Sequence, residues 1–262
     1  MAAPMRELVL NEARALAVFA NGRLVDHRFA VSLICDDLPD MRFNRAYVLD
    51  AANLTAESLE EMTRDFLTPQ LPFRMDIFLP IPPETEALLN RKGFDLTEDY
   101  ASEMLLTRAS TLLRRNPAVK VEKLSERFLD SFSTIIVKAY NAPPDMVATL
   151  VSIFRHTIPR ALEHKGASLY LAFLGSEPVG SLYLFSQGGV AGLYNLAVAQ
   201  SSRRQGVATT LMLRAIDDAQ AAGDRTLCLQ TGVGSFHERF FERLGFTTVA
   251  RRKRATRKSA KS

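Results

Sequence analysis

Residues 203–209 have the composition of a turn that can hold an anion. Arg203 and Arg204 supply guanidinium groups that suit phosphate oxygens, and Gly206 lets the backbone approach such a group closely. A helix is predicted to follow, because apolar residues then recur at helical spacing: Val207, Leu211, Ile216 and Ala219. The first amides of a helix lack intrahelical acceptors, and the helix dipole adds partial positive charge there. The turn therefore predicts binding of a phosphate-bearing ligand.

The elements around this turn are a strand before it and a helix after it. Leu193–Val198 is an apolar run with Gly192 before it and Gln200-Ser201-Ser202 after it, which is typical of a buried strand. Gly223 ends the helical pattern, and glycine is common just after the last residue of a helix. The strand thus delivers the basic turn to one edge of a sheet.

Four residues in this segment resemble a known family motif. Val198, Arg203, Gly206 and Ala208 form the pattern V-x-x-x-x-R-x-x-G-x-A. This pattern resembles the pyrophosphate loop of the GNAT superfamily of acyl-CoA-dependent N-acyltransferases, although Gln200 stands where the family often has a proline. The alternative is an ordinary basic turn between a strand and a helix.

The resemblance implies an α+β GNAT fold with a mixed sheet, in which two GNAT-like halves follow each other and the second is complete. It implies acetyl-CoA as co-substrate, with the pantetheine arm on the backbone of the strand and the diphosphate on the turn. The residues implied to bind it are Leu196, Ala197, Val198, Arg203, Arg204, Gln205, Gly206, Val207, Ala208 and Thr209.

The family's usual acid is a tyrosine in the motif Y-x-x-x-G-F, which protonates the departing thiolate. Here Phe241 stands at that position, and Phe cannot donate a proton. Tyr194, on the strand beside the expected thioester, is the candidate catalytic residue in its place. A core aromatic role is the alternative for Tyr194. His237 precedes Gly245-Phe246, but beside Glu238 and Arg239 it favours a solvated helix face.

The leading functional hypothesis is an N-acetyltransferase that moves an acetyl group from acetyl-CoA to a primary amine of a small molecule or peptide by direct attack. The alternative is a non-catalytic acyl-CoA-binding or regulatory module, which Phe241 favours. The sequence has none of the common nucleotide-loop, hydrolase or zinc-protease motifs, and its four histidines show no metal-ligand spacing, so no metal is expected.

The order strand, helix, strand, helix, Gly-Phe, strand occurs twice, and Leu88–Phe94 aligns with Phe240–Phe246. Residues 1–112 are thus interpreted as a degenerate GNAT-like domain and residues 113–250 as the GNAT domain, with a linker at Thr111–Val119. The first copy has Asp50–Thr55 in place of the basic turn, and its acid would repel an anion. Two unrelated helix ends are the alternative interpretation of the repeat.

The 262 residues are 47% hydrophobic and 24% charged, without an apolar stretch long enough to suggest a membrane span. A cytoplasmic protein with no membrane partner is expected. The net charge of the whole chain is +4, and seven positive charges fall in residues 251–262. The remaining residues therefore carry a net charge of −3. This basic segment is expected to be a disordered tail, and nucleic-acid binding through it is the alternative. The oligomeric state stays open.

Overall fold

The computed structural model describes residues 5–68, 70–140 and 142–258. Within them the chain forms seven α-helices and eleven strands. In chain order these are α1 Met5–Ala20, β1 Arg23–Asp26, β2 Ala30–Ile34, β3 Arg45–Val48, α2 Ala56–Leu67, β4 Arg74–Phe78, α3 Pro83–Arg91, β5 Phe94–Leu106, β6 Val119–Lys123, α4 Leu129–Ala139, α5 Val147–Glu163, β7 Ala167–Leu174, β8 Glu177–Gln187, β9 Val190–Val198, α6 Val207–Ala221, β10 Thr226–Gly232, α7 Phe236–Leu244 and β11 Phe246–Arg257. No helix in the described ranges is long and apolar enough to cross a bilayer.

The chain divides into two compact units. Of the described residues, 108–229 form the central unit, and 5–107 together with 230–258 form the terminal unit. The units differ from the predicted domains, because residues 230–250 lie in the terminal unit. Residues near each end of the chain thus share one unit, although more than a hundred residues separate them in sequence.

In the central unit, strands β6 to β9 form an antiparallel series in chain order, and β10 joins β9 in parallel. Helix α6 packs on this sheet through Gly180 of β8. A Cβ built at Gly180 would lie 2.7 Å from Val207 Cγ1 and 3.1 Å from Leu211 Cδ1. Glycine at this position therefore lets the first turns of α6 approach the strand closely.

In the terminal unit, the sheet order is β1-β2-β3-β4-β11-β5. Strand β3 runs parallel to β4, and β11 lies between β4 and β5, antiparallel to both. One core of this unit contains the buried face of α2, with Leu59, Met62 and Phe66, packed against strand residues that include Val48 and Ile77. The C-terminal strand of the chain is therefore an internal strand of the unit that contains the first strands.

The predicted repeat is confirmed in the order and direction of its elements. The series β3, α2, β4, α3, β5 matches β9, α6, β10, α7, β11, and both β3–β4 and β9–β10 are parallel pairs. Gly93 and Gly245 follow α3 and α7 with φ values of 81° and 102°, which glycine adopts without strain. The halves therefore share a common topology.

The prediction of a disordered tail from residue 251 is wrong for residues 251–257, which belong to β11. Their charges are used within the fold. Arg252 is buried and pairs with Glu12, and the Lys253 ammonium lies over the ring of Tyr100. A run of basic residues can form a strand where its partners in the fold supply acids and aromatic rings. Residues 259–262 lie outside the described part of the chain.

Candidate functional site

The parallel pair β9–β10 is short. Its register joins Val190–Gly192 to Thr226–Cys228, although β9 continues to Val198. Along Leu193–Val198 the pairing that the structure describes is with β8 alone. In a strand, backbone groups point alternately to the two sides. Alternate N–H and C=O groups of this segment, which contains the predicted residues Leu196, Ala197 and Val198, are therefore directed to an edge that β10 does not pair.

A β-bulge interrupts β9 within this segment. Tyr194 pairs with Tyr183 and Ala197 with Ser181, so Asn195 and Leu196 together lie opposite Leu182. Asn195 has a φ of 51°, a conformation that asparagine tolerates better than most residues. Its Nδ2 atom is buried and has no hydrogen-bond partner among the described residues. The sequence analysis did not select Asn195. A polar amide side chain within an otherwise apolar strand could have drawn attention to it.

The loop after β9 turns twice through the left-handed region before α6 begins. Residues Gln200–Ser202 form a 3-10 turn, and Arg204 and Gly206 have φ values of 61° and 73°. The side chains of Arg203, Arg204 and Gln205 are exposed. This conformation presents consecutive backbone amides and two exposed guanidinium groups on the short segment that the sequence singled out, and the Nε atom of Arg203 donates to Val198 O over 3.5 Å.

Helix α6 begins without a side-chain cap. Its first backbone bond runs from Thr210 N to Gly206 O over 2.9 Å. In the part of the chain that the structure describes, the amides of residues 204–209 have no hydrogen-bond acceptor. Six donors at the positive end of a helix dipole form a site that suits an anionic group.

The corresponding helix of the first half is closed by its own side chains. Thr55 Oγ1 accepts a hydrogen bond from Ser58 N, and Ser58 Oγ accepts one from Thr55 N, which forms a capping box at the start of α2. Asp50 lies in the loop before α2, whereas the loop before α6 carries Arg203 and Arg204. Of these two corresponding helices, only α6 begins with its first amides open.

Asn116 contacts the loop of residues 203–209, here called the anion loop, although sequence reasoning treated it only as part of a linker. Its Nδ2 donates to Gln205 O over 2.8 Å, and its backbone N–H donates to Thr210 Oγ1 over 3.0 Å. A Cβ built at Gly206 would lie 3.2 Å from Asn116 Cβ. No local sequence signal links these residues, since about ninety positions separate them.

Tyr194 is buried, and its ring lies 6.1 Å from that of its cross-strand neighbour Tyr183. Tyr183 shares its sheet face with Phe185, whose ring lies 5.4 Å from that of His164 at the end of α5. Tyr194 therefore shares a sheet face with Tyr183 and Phe185. Burial raises the pKa of the Tyr183 hydroxyl, which indicates apolar surroundings for that side chain.

Phe241 and His237 lie on α7 in the terminal unit. Phe241 is buried, with ring centroids 5.3 Å from Phe240 and 6.2 Å from Phe246. His237 is exposed, as the sequence favoured. Glu238 between them is buried and accepts hydrogen bonds from Ser102 Oγ and from Gly234 N, both at 2.5 Å. This carboxylate attaches the start of α7 to β5.

Comparison with known proteins agrees with this architecture. Residues 129–246 match the model of the acetyltransferase (GNAT) family. The chain is similar in structure to a GCN5-related N-acetyltransferase from Kribbella flavida, with 16% identity, a TM-score of 0.68 and coverage of 97% of this chain and 96% of that one. It is also similar to a tandem GNAT protein from the clavulanic acid biosynthesis pathway, with 11% identity, a TM-score of 0.62 and coverage of 100% and 98%. No curated protein matches the chain.

The chain has the GNAT fold, with two halves in tandem. Its features here are the repeated strand–helix unit, the short parallel pairing of β9 with β10, and helix α6, which begins without a side-chain cap. Residues 129–246, somewhat less than half of the chain, match the GNAT acetyltransferase family. This match supports acyl transfer as the general class of reaction.

Proposed function

We propose that the protein is an N-acetyltransferase that transfers the acetyl group of acetyl-CoA to a primary amine of a small molecule or peptide. The observation that supports this most strongly is the set of amides of residues 204–209, which have no acceptor in the described structure and follow directly on the bulged strand β9. This segment also carries the residues that resemble the family's pyrophosphate loop.

The residues present fit the parts of acetyl-CoA in order. The amides of residues 204–209 and the side chains of Arg203 and Arg204 would hold the diphosphate. The unpaired edge of Leu196–Val198 would form hydrogen bonds with the amide groups of the pantetheine arm, as a strand does with its neighbour. Next to the bulge at Asn195, an unpaired backbone N–H of this strand would donate a hydrogen bond to the carbonyl oxygen of the thioester. Negative charge develops on that oxygen as the amine attacks.

The reaction proposed is a single displacement through a tetrahedral intermediate. The amine nitrogen forms a bond with the carbonyl carbon of the thioester, the carbon–sulfur bond breaks, and the electron pair of that bond leaves with sulfur. The nitrogen loses one proton, and the thiolate gains one to give free CoA. The products are the N-acetylated amine and CoA, and the protein carries no covalent intermediate.

Tyr194 is the proposed donor of the proton to the departing thiolate. It lies two residues before the proposed pantetheine contacts, on the same sheet face as Tyr183 and Phe185. It is assigned this role because Phe241, which occupies the family's tyrosine position, carries no acidic proton.

The test is an assay of CoA release from acetyl-CoA across a library of primary amines, read by a thiol reagent and confirmed by the mass of the acetylated amine. The proposed function predicts release that depends on the amine and stabilisation of the fold by CoA. Absence of any shift in melting temperature with CoA at millimolar concentration would contradict it.

A non-catalytic acyl-CoA-binding module is the second candidate, and the buried Phe241 is the observation that favours it. This candidate predicts that CoA and acetyl-CoA both raise the melting temperature, while no amine in the panel increases CoA release over the hydrolytic background. The same assay thus separates the two functions.

A further inference from the structure

We propose that Asn116 is a positioning residue that holds the anion loop, residues 203–209, in its diphosphate-binding conformation. The inference rests on the proposed function, since it concerns how the same loop recognises the diphosphate. Asn116 lies outside the loop, three residues before β6. Its side chain contacts Gln205 of the loop, and its backbone contacts Thr210 in the first turn of α6.

The side-chain contact fixes one peptide group of the loop. Asn116 Nδ2 donates to Gln205 O over 2.8 Å. In a planar trans peptide the C=O of one residue and the N–H of the next point in opposite directions. With Gln205 O turned toward Asn116, the N–H of Gly206 is turned to the opposite side. Asn116 therefore directs this amide away from itself, and the N–H, which has no acceptor among the described residues, is available to a ligand oxygen.

The backbone contact fixes the next turn of the helix. Asn116 N donates to Thr210 Oγ1 over 3.0 Å, and that hydroxyl donates to Gly206 O over 2.9 Å. Gly206 O also accepts from Thr210 N. The carbonyl that begins α6 is thus held by two donors, and Thr210 connects it to Asn116. This second contact orients the peptide group that carries the amide of Val207.

The orientation of the Asn116 amide follows from its own partners. Its Oδ1 accepts from Ala118 N over 2.9 Å, so its Nδ2 is the atom left to meet the carbonyl of Gln205. Its backbone oxygen accepts from Val119 N at the start of β6. The residue is therefore anchored to the sheet and acts on the loop from a fixed position.

Gly206 and Asn116 are also in close contact, since a Cβ at Gly206 would lie 3.2 Å from Asn116 Cβ. Glycine is favoured at 206 both because its φ is 73° and because Asn116 occupies the space beside it. The family motif's glycine is thus paired, in this chain, with an asparagine that the motif does not contain.

The matched control is the neighbouring residue Arg115. Its Nη2 donates to Leu213 O over 3.1 Å and pairs with Asp217, farther along the same helix. Arg115→Ala therefore removes contacts between the same segment and α6 without touching the loop. Asn116→Asp keeps the shape of the side chain, but replaces the donor with a carboxylate oxygen that faces Gln205 O and adds negative charge beside the loop.

The experiment measures dissociation constants for CoA by calorimetry, together with KM and kcat for acetyl-CoA and for acetyl-pantetheine, which lacks the diphosphate. Loss of one hydrogen bond of about 1.4 kcal/mol corresponds to a tenfold change. We expect Asn116→Ala to weaken CoA binding about tenfold and Asn116→Asp to weaken it further. Arg115→Ala should change it less than about twofold. The kcat at saturation and the KM for acetyl-pantetheine should stay at wild-type values.

Wild-type affinity of a folded Asn116→Ala variant for CoA would overturn the inference, and so would an equal loss of affinity for acetyl-pantetheine. If the wild-type protein binds no CoA, the proposed function fails instead. Hydrogen exchange at the Thr210 amide then decides the role of Asn116, because the inference requires faster exchange in Asn116→Ala than in Arg115→Ala.

Discussion

The guanidinium group of Arg252 forms two hydrogen bonds with the carboxylate of Glu12, at 2.8 and 3.1 Å, and the two residues lie 240 positions apart in the chain. Arg252 belongs to β11 and Glu12 to α1, and their side chains are only 3% and 5% exposed. Arg45 adds a third hydrogen bond to Glu12, and Glu103 lies 3.3 Å from the Nε atom of Arg252. This buried cluster joins the first helix of the chain to its last strand.

The charges of the cluster explain its state of ionisation. Burial alone would raise the pKa of Glu12, but the charges of Arg252 and Arg45 outweigh burial and hold it below the usual value. Asp76 behaves in the same way beside Arg252 and Arg74. The paired carboxylates therefore stay ionised in the folded state, and each is balanced by a buried guanidinium group.

Replacement of Arg252 tests this cluster. Arg252→Met leaves Glu12 without its bidentate partner in a buried site, so we expect a loss of about 3–5 kcal/mol in the free energy of unfolding. The control is Arg251→Ala on the same strand, because Arg251 is exposed and should change stability by less than about 1 kcal/mol. Chemical denaturation measures both variants. Equal stability of Arg252→Met and wild type would show that the cluster contributes little.

Truncation of the chain provides a second prediction. A protein that ends at Ala250 lacks most of β11, which lies between β4 and β5, so the terminal unit should lose cooperative unfolding. A protein that ends at Lys258 keeps the whole strand and should melt near the wild-type temperature. Circular dichroism on heating distinguishes these results. If the shorter protein stays folded but loses salt-dependent binding to DNA or RNA, the basic segment acts as a nucleic-acid contact instead.

The pH dependence of stability should report on Glu103. Burial raises its pKa to about 7, although Arg252 and Gln230 favour the ionised form. Between the unfolded pKa near 4.5 and the folded pKa near 7 the native state binds more protons than the unfolded state, so this residue's contribution to stability falls as pH rises through that window.

Glu103→Gln removes that titration. Between pH 5 and pH 7.5 the free energy of unfolding should fall less in the variant than in wild type. The difference between the two falls should be up to about 3 kcal/mol. Urea denaturation at several pH values measures this. Parallel curves for the two proteins would mean that Glu103 titrates as it does in the unfolded chain.

Two glycines of α6 allow a controlled test of the anion loop. Gly206 and Gly223 lie at opposite ends of the helix with φ values of 73° and 87°, so alanine at either position costs about 1–2 kcal/mol of backbone strain. Around Gly223 a new Cβ meets nothing within 4 Å. We expect both variants to be less stable, while only Gly206→Ala weakens CoA binding, by about tenfold or more. Equal CoA affinities in calorimetry would argue against the loop as the diphosphate site.

Tyr194→Phe tests the proposed acid. Loss of a proton donor to the thiolate should lower kcat by about a hundredfold and leave the KM for acetyl-CoA nearly unchanged. Tyr183→Phe is the control, since Tyr183 is the cross-strand neighbour of Tyr194 and has no proposed role in the reaction. Steady-state kinetics with the best amine from the library provides the measurement. Similar kcat values for the two variants would leave Tyr194 as a core aromatic.

The sequence by itself determined the local parts of the site. The apolar run of β9, the basic turn and the periodicity of α6 are short-range features, and each was read from neighbouring residues. The cap of α2 is local in the same sense, because Thr55 lies within three positions of the amide that it binds. The strands β1 and β2 were missed, since five buried residues such as those of β2 carry no period by which a strand can be recognised.

Only the tertiary structure decided the contacts between distant segments. It placed β11 between β4 and β5, turned the basic segment 251–257 into a strand, and brought Asn116 onto the loop beside Gly206. These contacts are ion pairs between buried acids and guanidinium groups, and hydrogen bonds between carbonyl and amide groups of distant segments. Such pairings are set by packing across many residues, and no spacing along the chain records them.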